Sequence, residues 1–428
     1  MKIIYTSEDN FRDRFDEILQ RGKMDMDTVG GIVGTILGEI RESGDEALME
    51  HIARFDRWEP KSAEDLVIDA DEMAMAYKAI DDKVRDALHL AYERIESYHK
   101  KSLPRSWFDY EENGIVTGQK VTPVDRAGLY IPGGKAAYPS SLLMNAIPAL
   151  VAGVKEIVVT TPTPDREINT LLLAACHLCG IERLYRVGGA SAIGAMAYGT
   201  ETIPKVDVIT GPGNIFVATA KKMVYGEVDI DMIAGPSEIG ILADTSARAD
   251  WVAIDLLSQA EHDEMASSIL ITDDAQLAIE VSGEVEGQIE SLERKDIALK
   301  SIVERGAIIV ANDMIEAVEL MNEIAPEHLE VMTSAPMELV PYIKHAGAIF
   351  LGHYTPEPIG DYIAGPNHTL PTGGTAKFYS PLSVENFMKK SSIIMMSREG
   401  MSEIGEACAT IARIEGLTAH EKSVLVRL

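Results

Sequence analysis

VDVITGPGN, residues 206–214, reads as a short β-branched strand that runs into two glycines. FVATAKKMVYG (216–226) follows with helically spaced apolar residues. Glycine at the carboxyl end of a strand lets the backbone approach a ligand, and the next helix offers unpaired N–H groups there. The unit recurs. RLYRVGG (183–189) precedes SAIGAMAYG (191–199), and AGPSE (234–238) leads into EIGILAD (238–244) and then ADWVAIDLLSQAEH (249–262). IVVTTP (157–162), SSILITDD (267–274), AIIVAND (307–313) and GAIFLG (347–352) are further apolar runs, with INTLLLAACHL (168–178) and MIEAVELMNEI (314–324) between them. Apolar strands alternating with helices predict βαβ units, right-handed crossovers and parallel sheet. Ligands are expected at the carboxyl edge of such a sheet.

Outside this region the spacing is helical. Phe11, Phe15, Ile18 and Leu19 predict a short amphipathic helix. Helices are expected over about 29–54 and 71–101, the latter with Val84, Leu88, Ala91 and Ile95 on one stripe. After about residue 382, VENFMKKSSIIMMS and SEIGEACATIARIEG read as helical again.

The chain has 428 residues, too many for one small core. Its formal charge of -29, from 68 acidic against 39 basic residues, argues against nucleic acid or an anionic membrane as the main partner. Three cysteines make no disulfide framework, and the N-terminus has no signal-peptide core. A cytoplasmic protein with a small-molecule ligand is expected. No P-loop and no true G-x-G-x-x-G occurs. Cys176 and Cys179 form a lone C-x-x-C inside an apolar helix, which reads as buried and inert.

Ten histidines are present, and His51, His89 and His99 read as surface residues in charged helices. His262 follows Gln259 by three residues, so both lie on one helix face. That is half of a metal site or an ordinary polar helix end. Asp361 and His368 share a loop dense in glycine and proline, and His420 lies near the C-terminus with Glu415 upstream. Gln259, His262, Asp361 and His420 together offer the oxygen and nitrogen donors that zinc accepts. Glu327 and His328 pair a carboxylate with a base suited to neutral pH. The residues alone leave ligand and structural readings open.

Eight blocks, in order, resemble the histidinol dehydrogenase family. They are GLYIPGGKAAYPSSLLMNAIPALVAGV (128–154), VGGASAIGAMAYGTE (187–201), TGPGNIFVATAKK (210–222), DMIAGPSEIGILAD (231–244), LLSQAEH (256–262), APEHLE (325–330), GDYIAGPNHTLPT (360–372) and EGLTAHEKSV (415–424). The resemblance covers almost all of the chain from about residue 25. It implies oxidation of L-histidinol to L-histidine with NAD⁺ and one zinc per subunit. Zinc would be held by Gln259, His262, Asp361 and His420. His328 would be the base and Glu327 would activate water. Substrate contacts would fall to Ser237, His368 and Glu415 beside the metal ligands and His328, and cofactor contacts to Tyr130, Ser191 and Asn214. Ser191 stands where the family usually has Gln.

The resemblance also implies a fold of two incomplete Rossmann-like domains, of aldehyde dehydrogenase-like architecture, with small helical extensions. The expected division is a helical extension over 1–26, a first domain from 27–129 plus 238–382 carrying metal and catalytic residues, a second over 130–237 on the NAD side, and a helical tail over 383–428. That tail would cross to the partner in a homodimer with shared active sites. Two rivals stand beside this reading. One is a paralogous zinc and NAD dehydrogenase of another polyol, such as a sulfonated diol; the other is a non-catalytic two-lobed binding protein.

Overall fold

The computed structural model describes residues 1–21, 26–133 and 138–428. Residues 22–25, in the N-terminal extension, and 134–137, in the GLYIPGGKAAYPSSLL block, lie outside that description.

The apolar runs form two six-stranded sheets. The first has the order Lys2–Tyr5, Ala307–Val310, Ser267–Thr272, Glu238–Ala243, His328–Met332 and Ala348–Leu351, parallel throughout. Its central strands are buried along their whole length, because helices cover both faces. The second has the order Val67–Asp69, Arg183–Arg186, Glu156–Thr161, Arg126–Tyr130, Val208–Thr210 and Asp229–Ile230. Only Val67–Asp69 runs antiparallel to its neighbour. The α/β class and its parallel sheets therefore stand as read.

Four expectations about the elements and their division are corrected. The N-terminal extension is not purely helical: the β-branched KIIY run adds an edge strand to the first sheet before the helix Phe11–Leu19. The segment 27–129 does not join 238–382. Its strands Val67–Asp69 and Arg126–Tyr130 belong to the second sheet. Its helix Asp27–Phe55 buries Val33, Ile36, Leu37 and Ile40 against Ile193 and Met196. The tail is not wholly helical. Met388–Met395 pairs antiparallel with Val116–Pro123, which also pairs with Trp107–Tyr110. Every residue of Met388–Met395 is at least partly exposed, so no buried stripe marks its period. The helices Arg398–Ile414 and Thr418–Leu425 then complete it. Finally, 71–101 is two helices, Ala70–Ala79 and Asp82–Lys101, because Asp81 caps the second by accepting from Lys83 N at 2.8 Å.

Cys176 and Cys179 are buried, and burial raises both thiols, Cys179 to about 12. The inert reading of C-x-x-C agrees with this.

His51 and His99 are not surface residues; they are 5% and 1% exposed. Neither ring nitrogen of His99 has a hydrogen-bond partner among the described residues. Burial alone lowers its pKa from 6.5 to about 4. A depressed histidine keeps its neutral form at and above its unfolded pKa, so stability is lost as pH falls from about 6.5 to about 4. We expect His99→Leu to remove up to about 3 kcal/mol of that acid sensitivity. Denaturation midpoints of both proteins between pH 7 and pH 4 check this; parallel curves would refute it.

Candidate active site

The parallel register of Glu238–Ala243 against His328–Met332 sets Ile239 opposite His328. This brings the Glu238 peptide against the Glu327–His328 pair. Its N–H donates to Glu327 Oε2 at 2.9 Å, and its carbonyl takes a hydrogen bond from His328 Nδ1 at 3.0 Å. A carbonyl only accepts, so the proton sits on Nδ1 and the neutral ring keeps its lone pair on Nε2. Nε2 is buried without a hydrogen-bond partner among the described residues, 3.4 Å from Asp361 Oδ1 and 3.9 Å from Glu357 Oε1. The Glu238 side chain is itself paired with Arg21 at 3.1 Å, both buried, so the N-terminal segment braces this strand.

Burial disfavours charge on His328, but Glu357, Glu327 and Asp361 outweigh it and raise its pKa well above the ordinary value. Burial pushes Glu327 up to about 8, against the attraction of His328 and the Glu238 N–H. A carboxyl tuned near neutrality can both accept and return a proton at working pH.

Gln259 is fully buried at the end of the helix Ala249–Ala260, and His262 is exposed just beyond it. With Nε2 turned towards the acceptors, the Gln259 amide donates to both Glu357 oxygens at 3.1 and 3.2 Å, and the same nitrogen stands 3.2 Å from His328 Nδ1, whose own proton goes to the Glu238 carbonyl. The Gln259 Oε1 then faces away from them. Asp361 lies on a π-helical turn, Gly360–Ala364, whose carbonyls at Ile363 and Ala364 accept from Arg94 at 2.7 and 3.3 Å. Burial raises its carboxyl, but His328 first, then His368 and His262, hold it below the usual range. His368 Nδ1 donates to the Asp361 carbonyl at 2.9 Å, which leaves Nε2 as an acceptor in the neutral ring. Ser237 stands half-buried directly before Glu238.

The structure therefore gathers Gln259, His262, Asp361, Glu327, His328, Ser237 and His368 at the amino edge of the first sheet. The carboxyl-edge rule does not describe this half of the site. Helices run back against their strands, so a helix end such as Gln259–His262 reaches the edge where strands begin. His420 and Glu415 are not brought there; both are exposed on the C-terminal helices of the same chain.

Sequence reasoning missed the carboxyls behind the site. Donor atoms of His328, Glu357 and Asp361 lie within 4.8 Å of one another. Glu330 Oε1 accepts from Glu357 N at 2.7 Å, and Asp255 hydrogen-bonds Glu330. Burial, then Asp255, raises Glu330 well above the carboxylate range, and burial moves Asp255 to about 6 and Glu357 to about 7. The available signal was a glutamate at an inward position of an apolar strand, HLEVM, where a charge needs a partner.

Tyr130, Ser191 and Asn214 meet elsewhere, at the carboxyl edge of the second sheet. They line a cavity of about 390 Å³ between the strand ends and the helix Asp27–Phe55, with Asp56, His51 and Gly188. The strand order reverses at Arg126–Tyr130, so the loops on either side diverge there. Close approach demands glycine. A Cβ on Gly188 would lie 2.3 Å from Pro162 Cβ, and one on Gly211, at φ +115°, 2.0 Å from the Tyr130 carbonyl. Tyr130 stays neutral, raised by burial to about 12, and its hydroxyl accepts from Gly189 N at 3.3 Å. Asn214 Oδ1 caps the helix Ile215–Val224 by accepting from Phe216 N and Val217 N, which leaves its NH₂ for the cavity. A buried pair clamps this loop. Asp231 accepts from Gly211 N at 2.8 Å, Lys221 donates to the Gly211 carbonyl at 3.0 Å, and the two side chains meet each other.

The two sheets, one carrying a carboxylate-flanked histidine and the other a glycine-lined cavity at its switch point, have the architecture of an α/β enzyme. The histidinol dehydrogenase family model matches residues 19–428. Histidinol dehydrogenase of Wolinella succinogenes is 67% identical across all of this chain and 99% of its own length. That of Sulfurimonas denitrificans is also 67% identical, over the full length of both. The crystal structure of histidinol dehydrogenase from Elizabethkingia anophelis superposes with a TM-score of 0.94 at 35% identity, covering 100% of this chain and 98% of that one. The chain belongs to the histidinol dehydrogenase family, NAD-dependent enzymes that oxidise histidinol to histidine.

Lys221→Met leaves Asp231 buried and unpaired, so a loss of about 3–5 kcal/mol is expected in denaturant unfolding. The double variant Lys221→Met, Asp231→Leu should recover most of it. An additive further loss would show that the clamp does not act as a pair.

Proposed function

We propose that this chain oxidises L-histidinol to L-histidine through bound L-histidinaldehyde, with zinc held by Gln259, His262, Asp361 and His420. The observation that carries this reading is His328, whose Nδ1 proton is committed to Glu238 while Nε2 faces Asp361. The donor set suits zinc: an amide oxygen, imidazole nitrogens and a carboxylate, with a buried unpartnered nitrogen beside them. Zinc there would anchor the substrate's amine and imidazole and offset part of the carboxylate field that raises His328. NAD⁺ would accept the hydride of each oxidation.

This chain's residues do the remaining work. His328 Nε2 takes the alcohol proton. Glu327, aligned by the Glu238 N–H, removes a proton from water as it adds to the aldehyde; His328, once it has released the first proton to solvent, accepts the next alcohol proton. Glu357 accepts from the Gln259 amide nitrogen, which would leave its oxygen free to hold the metal, a hydrogen bond that orients a ligand. Ser237, His368 and Glu415 would contact substrate, and Tyr130, Ser191 and Asn214 the dinucleotide.

The site needs His420 and Glu415, and both stand exposed on the tail. Their delivery by a second copy in a homodimer meets that need. The tail carries the exposed apolar residues Ile394, Met395, Ile411, Ile414 and Leu417, as an arm that packs on another chain would. A cytoplasmic, small-molecule enzyme fits the acidic charge. No helix among the described residues is long and apolar enough to cross a membrane.

Three outcomes test this. Chelation should abolish NADH formation from L-histidinol, and added zinc should restore it. His328→Ala should lower kcat by about 10²–10⁴-fold, and Glu327→Gln should slow the aldehyde step more than the alcohol step in single-turnover assays. His328→Ala and His420→Ala proteins, each inactive alone, should recover up to about a quarter of wild-type activity when co-refolded, since one site in each mixed dimer is intact. No recovery, with mixed dimers present, would rule out sharing of the tail.

A further inference from the structure

His51 occupies a place that the activity so far leaves unused. It lies on the helix Asp27–Phe55, buried, and lines the same cavity as Tyr130, Ser191 and Asn214. Its Nε2 is 2.8 Å from Glu39 Oε2 and its Nδ1 is 2.9 Å from Ser191 Oγ. The helix breaks at Gly44, at φ +51°, so Glu39 lies on the arm before the break and its half-exposed side chain meets His51 across the bend.

Donor accounting sets the direction of this relay. A carboxylate only accepts, so the bond to Glu39 requires a proton on Nε2. With the ring neutral, its lone pair lies on Nδ1 and the second bond is donated by the Ser191 hydroxyl. The only proton of that hydroxyl is thereby spent. Ser191 turns lone pairs, and no donor, towards the cavity. Asp56 adds a second acceptor to the same wall, with Oδ2 taking the Thr163 N–H at 3.1 Å. No described residue lining this cavity is Lys or Arg.

We propose that Glu39 and His51 are positioning residues that hold Ser191 as a hydrogen-bond acceptor for a donor group of the dinucleotide, either a ribose hydroxyl or the carboxamide NH₂. This rests on the reading of the cavity as the NAD⁺ site. It gives a serine, in a position where the family usually carries a longer amide, a defined polarity. A serine free to rotate would offer either a donor or an acceptor. The relay removes that choice before the cofactor arrives, so less order is lost on binding.

The test uses the zinc-loaded full-length protein, with Kd for NAD⁺ and for ADP-ribose measured by titration calorimetry. Ser191→Ala and His51→Phe should each weaken NAD⁺ binding by about 3- to 10-fold, the loss of one neutral hydrogen bond. The double variant should be no weaker than either single one, since both remove the same interaction. His51→Asn, whose amide oxygen can replace Nδ1 as acceptor, should restore affinity to within about 2-fold of wild type. Glu39→Ala, half exposed and safe for folding, should weaken binding by a smaller factor. KM for NAD⁺ should rise in step, while KM for L-histidinol should not. Equal losses for NAD⁺ and ADP-ribose assign the donor to a ribose; a loss for NAD⁺ alone assigns it to the carboxamide. Wild-type affinity in both His51→Phe and Glu39→Ala, or fully additive losses in the double variant, would overturn the relay. A wild-type protein that binds neither ligand would instead overturn the cofactor reading of the cavity.

Discussion

One peptide unit, that of Glu238, organises the candidate site on the first sheet. Its N–H holds Glu327 and its carbonyl holds the Nδ1 proton of His328. Both hydrogen bonds exist because two parallel strands, from segments some ninety residues apart, pair in a register that sets Ile239 against His328. A slip of one residue would turn His328 to the other face of the sheet. The strand is braced by the buried Arg21–Glu238 pair, and breaking such a pair leaves an uncompensated charge. The N-terminal segment, through Arg21, thus bears on the orientation of His328.

The other half depends on close backbone packing. Gly188 and Gly211 bring loops to within contact of Pro162 and the Tyr130 carbonyl, and the Lys221–Asp231 pair grips both sides of the Gly211 peptide. The halves are tied where the loop holding Asp361 and His368 returns to the second unit. Asn367 donates to the Met144 carbonyl at 2.5 Å, and the Thr372 hydroxyl accepts from Gly235 N. The distance between His328 and the cavity beside Tyr130 is therefore carried by a loop hydrogen-bonded to both sides.

Much of the fold was legible because burial imposes period. Strands such as SSILITDD and EIGILAD are buried on both faces and read as unbroken apolar runs. The errors fall where burial imposes none. Met388–Met395 forms an exposed ribbon whose spacing reads as helical. KIIY is too short to show alternation. The membership of 27–129 could not be read, since a helix stripe of Val33, Ile36 and Leu37 says that something covers it and not which sheet does. His51 and His99 sit among charged residues on long helices, and the side that faces inward depends on what packs there.

By itself the sequence determined the α/β class, the glycine-turned strand ends, and, through its family blocks, the residue types able to bind metal and move protons. Those are local properties: hydrophobic period, backbone freedom and side-chain chemistry all reside in neighbouring residues. The tertiary structure alone decided which nitrogen of His328 carries the proton, that Glu357 orients Gln259, that three carboxyls share a buried pocket, and that Glu39, His51 and Ser191 form a chain of hydrogen bonds. The physical reason is that hydrogen-bond direction and charge coupling depend on distances of a few ångströms between segments far apart in sequence, and only the packed sheets set those distances.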